Sequence, residues 1–244
     1  TRDALVAASK LAGLSRVVLL ESAVAGAFAA SLELSELAQC QKLGVYELGG
    51  RSFSFSVLQR TGGGGGADAA AEWEVVTAQR EVLLGSEAFD AAVVEHLVDG
   101  FQQEQGIDLS ADHLALQRLH EATESAKLEL CKEAAASISL PFITADASGP
   151  KHLETTLSRA KFESLIEPTL KRTSPIVAAV LSEAGLTKDD LHAVLLLGGS
   201  ARLAAVEAHA QSLFEGRPTL RTDRPEEAVA LGAAAYAQRL QALE

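Results

Sequence analysis

Two stretches of this chain run an apolar segment straight into a pair of glycines: VYELGGRSFSFSVL at 45–58 and AVLLLGGSAR at 193–202. They constrain the fold more than any other feature. The first alternates serine with apolar residues after its glycines, the pattern of a β-hairpin whose return strand is half buried. The second is uninterrupted up to Gly198, as expected of a strand covered on both faces in a parallel sheet. A glycine pair at such a point has two explanations. Either the turn has no room for a β-carbon, or bare backbone approaches a phosphate, whose oxygens accept from consecutive main-chain N–H groups. Neither pair fits GxxxxGK[ST] or GxGxxG, so neither a P-loop nor a dinucleotide fold is supported. What favours phosphate is that each pair has a hydroxyl close behind it, Ser52 and Ser200. Ser200 is expected to cap a following helix at its positive end.

The rest of the chain alternates helical and strand-like segments. Residues 2–13 have apolar positions at helical spacing and end in Gly13, a C-terminal cap. SRVVLLES (15–22) reads as a buried strand and AVAGAFAASLEL (23–34) as a helix that Gly26 lets pack closely. A Gly/Ala tract at 61–72 reads as a surface loop, and EWEVVTAQREVLL (72–84) as a further strand. Helical periodicity dominates from Ser86 to about Leu140. SISLPFITA (137–145) is strand-like, and residues 155–185 read as helical again. Pro225 is expected at the first position of the last helix, with Glu226 and Glu227 against the positive end of its dipole. Helices alternating with β-branched strands mean α/β.

Bulk properties mainly exclude. The chain has 244 residues, enough for one large domain or two lobes, and 21 basic against 33 acidic side chains, a net charge of −12. Direct nucleic-acid binding is not expected of so acidic a chain. Cys40 and Cys131 are too few for a disulfide framework or a cysteine zinc site, and a reducing compartment fits. No apolar run is long enough to span a membrane. The start TRDALVAASK lacks methionine and resembles no signal peptide, so the chain reads as processed or partial. The six histidines show no metal-ligand spacing, and Ser200 in GGSAR belongs to no catalytic triad motif.

Seven stretches resemble, in order, the second half of the ATPase domain of the DnaK-type seventy-kilodalton heat-shock chaperones, which are actin-like ATPases. They are LESAVAGAFA (20–29), VYELGGRSFSFSVL (45–58), LLGSEAFDAAVVEHLV (83–98), LHEATESAKLEL (119–130), SRAKFESL (158–165), AVLLLGGSARLAAVEA (193–208) and RPEEAVALGAAAYAQRL (224–240). The resemblance implies a ribonuclease H-like α/β lobe with a helical upper subdomain. Residues 1–38 would be a first-lobe remnant of crossing helix and strand. Residues 39–85 and 165–222 would form the lower part of the second lobe, 86–164 its upper part and 223–244 a terminal crossing helix. It further implies ATP or ADP with magnesium as cofactor. Gly49 and Gly50 would lie against the β and γ phosphates, with Ser52 at the γ-phosphate. Gly198 and Gly199 would lie against the nucleotide, Ser200 and Arg202 near adenine and ribose, and Glu124 and Lys127 on the ribose. Glu21, Glu47 and Glu226 stand where the family holds magnesium indirectly. No residue receives a catalytic role.

Departures from the family pattern shape the functional expectation. Glu47 stands for an aspartate, Arg51 for the third glycine of the hairpin and Ser54 for an aspartate that would organise magnesium-bound water. Leu128 replaces an adenine-stacking arginine, and Cys131 a serine. Together these resemble the divergent, ribosome-associated members of the family. The expectation is ATP binding with weak or absent hydrolysis, in a cytoplasmic regulatory or scaffolding co-chaperone whose partner is a J-domain protein, a ribosome or another large assembly. Two alternatives stay open: a partial view of an active folding chaperone, and a nucleotide-free subunit of a large assembly. The family's first glycine-rich hairpin and catalytic lysine have no counterpart in these residues.

Overall fold

A computed structural model describes residues 2–61 and 72–242; the Gly/Ala tract read as a loop lies almost wholly outside them. The expected α/β architecture is present. Five strands form the main sheet: β1 (Lys42–Leu48), β2 (Ser52–Thr61), β3 (Glu72–Val82), β6 (Ala193–Leu197) and β7 (Thr219–Arg221), in the order β3-β2-β1-β6-β7. β1, β2 and β3 are antiparallel neighbours, whereas β1, β6 and β7 run parallel. The uninterrupted run AVLLL is β6, and all five of its residues are buried.

Burial on both faces explains that run. Ala193, Leu195 and Leu197 meet Leu43 and Val45 of β1 beneath α2 (Ser22–Glu33) and α8 (Ala228–Ala242). On the opposite face Val194 and Leu196 join Tyr46, Phe53, Phe55 and Val57, with α6 (Thr173–Glu183) and α7 (Ala204–Leu213) over them. Phe53 and Phe55 are fully buried, each contributing roughly 1.5–3 kcal/mol of apolar transfer. The alternating serines of β2 consequently share the α2 side with Glu47. Small residues let α2 approach closely: a β-carbon on Gly26 would come 2.2 Å from Leu197, and one on Gly232 of α8 1.8 Å from the Ala25 carbonyl.

α3 (Ser86–Gln105), α4 (His113–Leu130) and the ribbon of β4 (Ala135–Asp146) and β5 (Gly149–Ser158) form the second layer of the larger core, with α5 (Arg159–Lys171) packed against α3. Asp112 caps α4 by accepting from the N–H groups of Leu114 and Ala115, both at 3.0 Å. Gly106 ends α3 in the left-handed conformation, φ 71°, which costs glycine little. α1 (Arg2–Leu11) buries none of its residues, and Gly13 follows it at φ 86°.

Three local expectations are corrected. Residues 15–21 form no strand; Val18 is 55% exposed, and no described strand lies beside the run to supply a ladder. Residues 155–158, the start of the segment read as helical, are strand, because β5 (Gly149–Ser158) pairs with β4 from Asp146↔Gly149 to Ala135↔Ser158 and buries Leu153 and Leu157. Pro225 lies in a turn three residues before α8, where its carbonyl accepts from the Gly198 N–H at 3.0 Å.

Candidate nucleotide site

The two glycine pairs abut. Gly198 has φ 90°, and a β-carbon there would stand 2.3 Å from the Leu48 carbonyl and 3.4 Å from the Gly49 nitrogen. The chain leaving β6 thus presses on the chain leaving β1, and Gly198 is glycine for packing. The β1–β2 turn is clasped from its other side. The carbonyls of Gly49, Gly50 and Arg51 accept from Ser86, Glu87 and Leu83 at 2.9, 2.8 and 2.7 Å. A β-carbon on Gly85 would meet the Gly50 carbonyl at 2.4 Å. With these carbonyls turned away, the N–H groups of Gly50 and Arg51 donate to none of the described residues, the state an anion-binding turn requires.

Steric demand separates the remaining glycines from Gly198. A β-carbon on Gly49, Gly50 or Gly199 would meet nothing nearer than 3.5, 3.9 and 3.8 Å respectively, and none of the three has positive φ. The fold alone does not require glycine there. A ligand lying on the backbone would.

Most of the expected site residues line one cavity of about 330 Å³: Gly49, Gly50, Glu124, Lys127, Gly199, Ser200, Arg202 and Glu226, together with Ser86, Leu128, Cys131 and Leu203. Its walls come from both glycine turns, from α4 and from the turn before α8. Gly198 supports this cavity from behind. Ser52 lines a neighbouring cavity of about 240 Å³ with Glu21, Ser22, Glu47, Ser54, Ser56 and Arg80. The β1–β2 turn therefore stands between the two, Gly49 and Gly50 toward one and Ser52 toward the other.

Each polar wall is already organised. The Lys127 ammonium holds Asp90 of α3 at 2.6 Å, with both side chains only 12–13% exposed. Burial pushes the Asp90 carboxyl up from its usual range even with Lys127 beside it. Arg202 grips Glu226 in two hydrogen bonds of 3.0 and 2.8 Å, and this pairing holds the Glu226 carboxyl below its usual range. Burial raises the Cys131 thiol. In the second cavity Ser22 and Ser54 both donate to Glu47 Oε2, at 2.7 and 3.2 Å, and Arg2 pairs with Glu21.

Two sequence expectations, those for Ser200 and Glu226, fare differently from the rest, and Arg51, which received no site role, lies apart. Ser200 is not a helix N-cap; it is buried within a 3₁₀ turn at Gly199–Arg202, and α7 begins after Leu203 without a side-chain cap. Arg51 lines neither cavity, because its guanidinium turns to Glu87 at 3.4 Å on an exposed rim. Glu226 belongs with Arg202 beside the α4 residues, not with Glu21 and Glu47, so the three candidate metal-side carboxylates are not brought together. Among the described residues no three acidic, histidine or cysteine side chains cluster to ligate a metal. Asp90 and Arg80 carried no signal in the sequence, since their relevance follows only from α3–α4 packing and the β2–β3 pairing.

No described helix is long and apolar enough to cross a membrane. A family model described as Hsp70 protein matches residues 1–243. Members of that family are chaperone ATPases that bind ATP or ADP with magnesium and work with co-chaperones and substrates. With an α/β sheet, two abutting glycine turns and a helix-walled cleft beside them, this chain belongs to the Hsp70 family of actin-like ATPases.

Proposed function

We propose that this chain binds adenine nucleotide with magnesium in the cleft between the two glycine turns and α4, and hydrolyses it weakly or not at all. The observation that carries the reading is the spare room over Gly49, Gly50 and Gly199, positions at which packing does not demand glycine but close approach of a phosphate chain does. Adenosine would lie in the larger cavity among Glu124, Lys127, Ser200 and Arg202, and the terminal phosphate would lie toward Ser52. When bound, magnesium would neutralise phosphate charge, with Glu21 and Glu47 holding its waters. Weak hydrolysis follows from the same cavity. Ser54 brings a neutral hydroxyl where a carboxylate would accept from ion-bound water, and an uncharged oxygen is the weaker acceptor; its one hydrogen goes to Glu47.

On this reading the domain is a regulatory co-chaperone, cytoplasmic, acting on a J-domain protein, a ribosome or another large assembly. Calorimetric titration of the full-length protein with MgATP and MgADP, alongside steady-state phosphate release, tests it. Binding without turnover is the expected result. Turnover at ordinary chaperone rates would refute weak hydrolysis, and failure to bind either nucleotide would refute the site.

A further inference from the structure

Arg80 lies on β3 opposite Ser54 in the β2–β3 register. Its guanidinium places Nε and Nη2 on a single atom, Ser52 Oγ, at 3.1 and 2.8 Å. Among the described residues it makes no ion pair. A fork that matches two oxygens of a carboxylate or phosphate is here spent on one neutral hydroxyl. Arg80 is exposed and lines, with Glu21 and Glu47, the smaller cavity.

The hydrogen-bond inventory of Ser52 sharpens this. A serine hydroxyl has two acceptor lone pairs and one hydrogen. Arginine only donates, so both contacts from Arg80 fall on the oxygen, and the Ser52 hydrogen donates to none of the described residues. What completes the pair is an acceptor bearing negative charge: it would take the Ser52 O–H and neutralise the guanidinium. Neutral ligands satisfy only the first demand. A divalent cation satisfies neither.

We propose that Arg80, acting with Ser52, recognises the terminal phosphate of a nucleoside triphosphate and makes the site discriminate triphosphate from diphosphate. The proposal rests on the nucleotide reading above. Two carboxylates in a small cavity repel a terminal phosphate, and Arg80 supplies the opposing charge on the same wall. A shorter nucleotide, held by the glycine turns and the α4 cavity, does not reach it.

The test is equilibrium binding of MgATP, MgADP and AMP to the full-length protein and to its Arg80→Ala, Arg80→Lys and Ser52→Ala variants, with ligand-free melting temperatures in parallel. Arg80→Ala is expected to weaken MgATP about tenfold or more, the scale of a hydrogen bond to a charged group, with MgADP and AMP changed less than about threefold and melting unchanged. Arg80→Lys keeps the charge without the fork and is expected to recover part of the loss. Ser52→Ala is expected to weaken MgATP selectively as well. Equal loss for all three nucleotides would show a merely structural role and overturn the proposal. So would unchanged MgATP binding, or tighter binding, which would mean that Arg80 occupies the phosphate's place. In those cases wild-type binding leaves the nucleotide site standing; a wild type that binds none of the three brings down both.

Discussion

Alanine at Gly198 and alanine at Gly50 distinguish the two reasons for glycine in this cleft. At Gly198 the backbone has φ 90° and ψ 157°, a region open essentially to glycine alone and costing another residue about 1–3 kcal/mol. The added β-carbon would also stand 2.3 Å from the Leu48 carbonyl, and forcing the two turns apart adds about 1–3 kcal/mol of overpacking. The sum, roughly 2–6 kcal/mol, corresponds to a fall of about 4–24 °C in melting temperature for a domain of this size. At Gly50 the nearest obstacle is Glu87 Oε1 at 3.9 Å, and φ is not positive. Gly50→Ala is therefore expected to change stability by less than about 1 kcal/mol, and can even raise it by restricting the unfolded chain. Its MgADP affinity is expected to fall at least severalfold, because the methyl group fills the approach to the Gly50 and Arg51 N–H groups. Thermal unfolding and MgADP titration of both variants check this. A Gly50→Ala variant that melts as low as Gly198→Ala, or that binds MgADP like the wild type, would refute the assignment of room at Gly50 to phosphate.

Other outcomes follow from the same geometry. Arg51→Gly removes only a rim contact of 3.4 Å to Glu87, so MgATP affinity is expected to change by less than about threefold, read by calorimetry. Leu128 is 63% exposed on the wall of the larger cavity, and Leu128→Arg restores a stacking cation whose gain in MgADP affinity is about two- to fivefold. Thr173 is buried; it donates to the Leu170 carbonyl at 2.7 Å, accepts from the Tyr46 hydroxyl at 3.0 Å and contacts His209 Nε2 at 3.0 Å. Thr173→Val leaves Tyr46 without its acceptor, for an expected loss of about 1–3 kcal/mol in denaturant unfolding. Burial pushes the Tyr46 phenol up to about 12 from 10.0. The unfolded chain then holds fewer protons than the native one between those values, and stability falls as pH rises through that window. His209 shifts the opposite way: burial first, then Lys171, lower it from 6.5. The unfolded state binds more protons below 6.5, so melting temperature is expected to drop on acidification, less steeply in His209→Gln; His96 shifts in the same direction and accounts for part of the slope.

Much of this molecule is local and so was readable from one dimension. An unbroken AVLLL running straight into a glycine pair reads as a strand buried on both faces, and β6 is one. The SFSFSV alternation sorts phenylalanines to the larger core and serines to the α2 side because successive side chains of a strand oppose each other. Glycines, helix periods and the seven ordered motifs placed the cleft and most of its wall. Tertiary structure alone decided which chemical partner each wall residue has. VVLL at 17–20 satisfies every strand preference, yet a strand exists only where a neighbour completes its ladder. Ser200 has the right residue type for a cap, but the 3₁₀ turn after Gly198 moves the helix N-cap three residues on, to Leu203. Arg51 and Arg80 look alike in sequence: two arginines in or beside the hairpin strands. Packing of α3 gives Arg51 a carboxylate on the rim, and the β2–β3 register sets Arg80 on Ser52, in an ion pair with none of the described residues. Charge, reach and hydrogen-bond capacity belong to the residue; which of these is left over for a ligand depends on neighbours from distant parts of the chain.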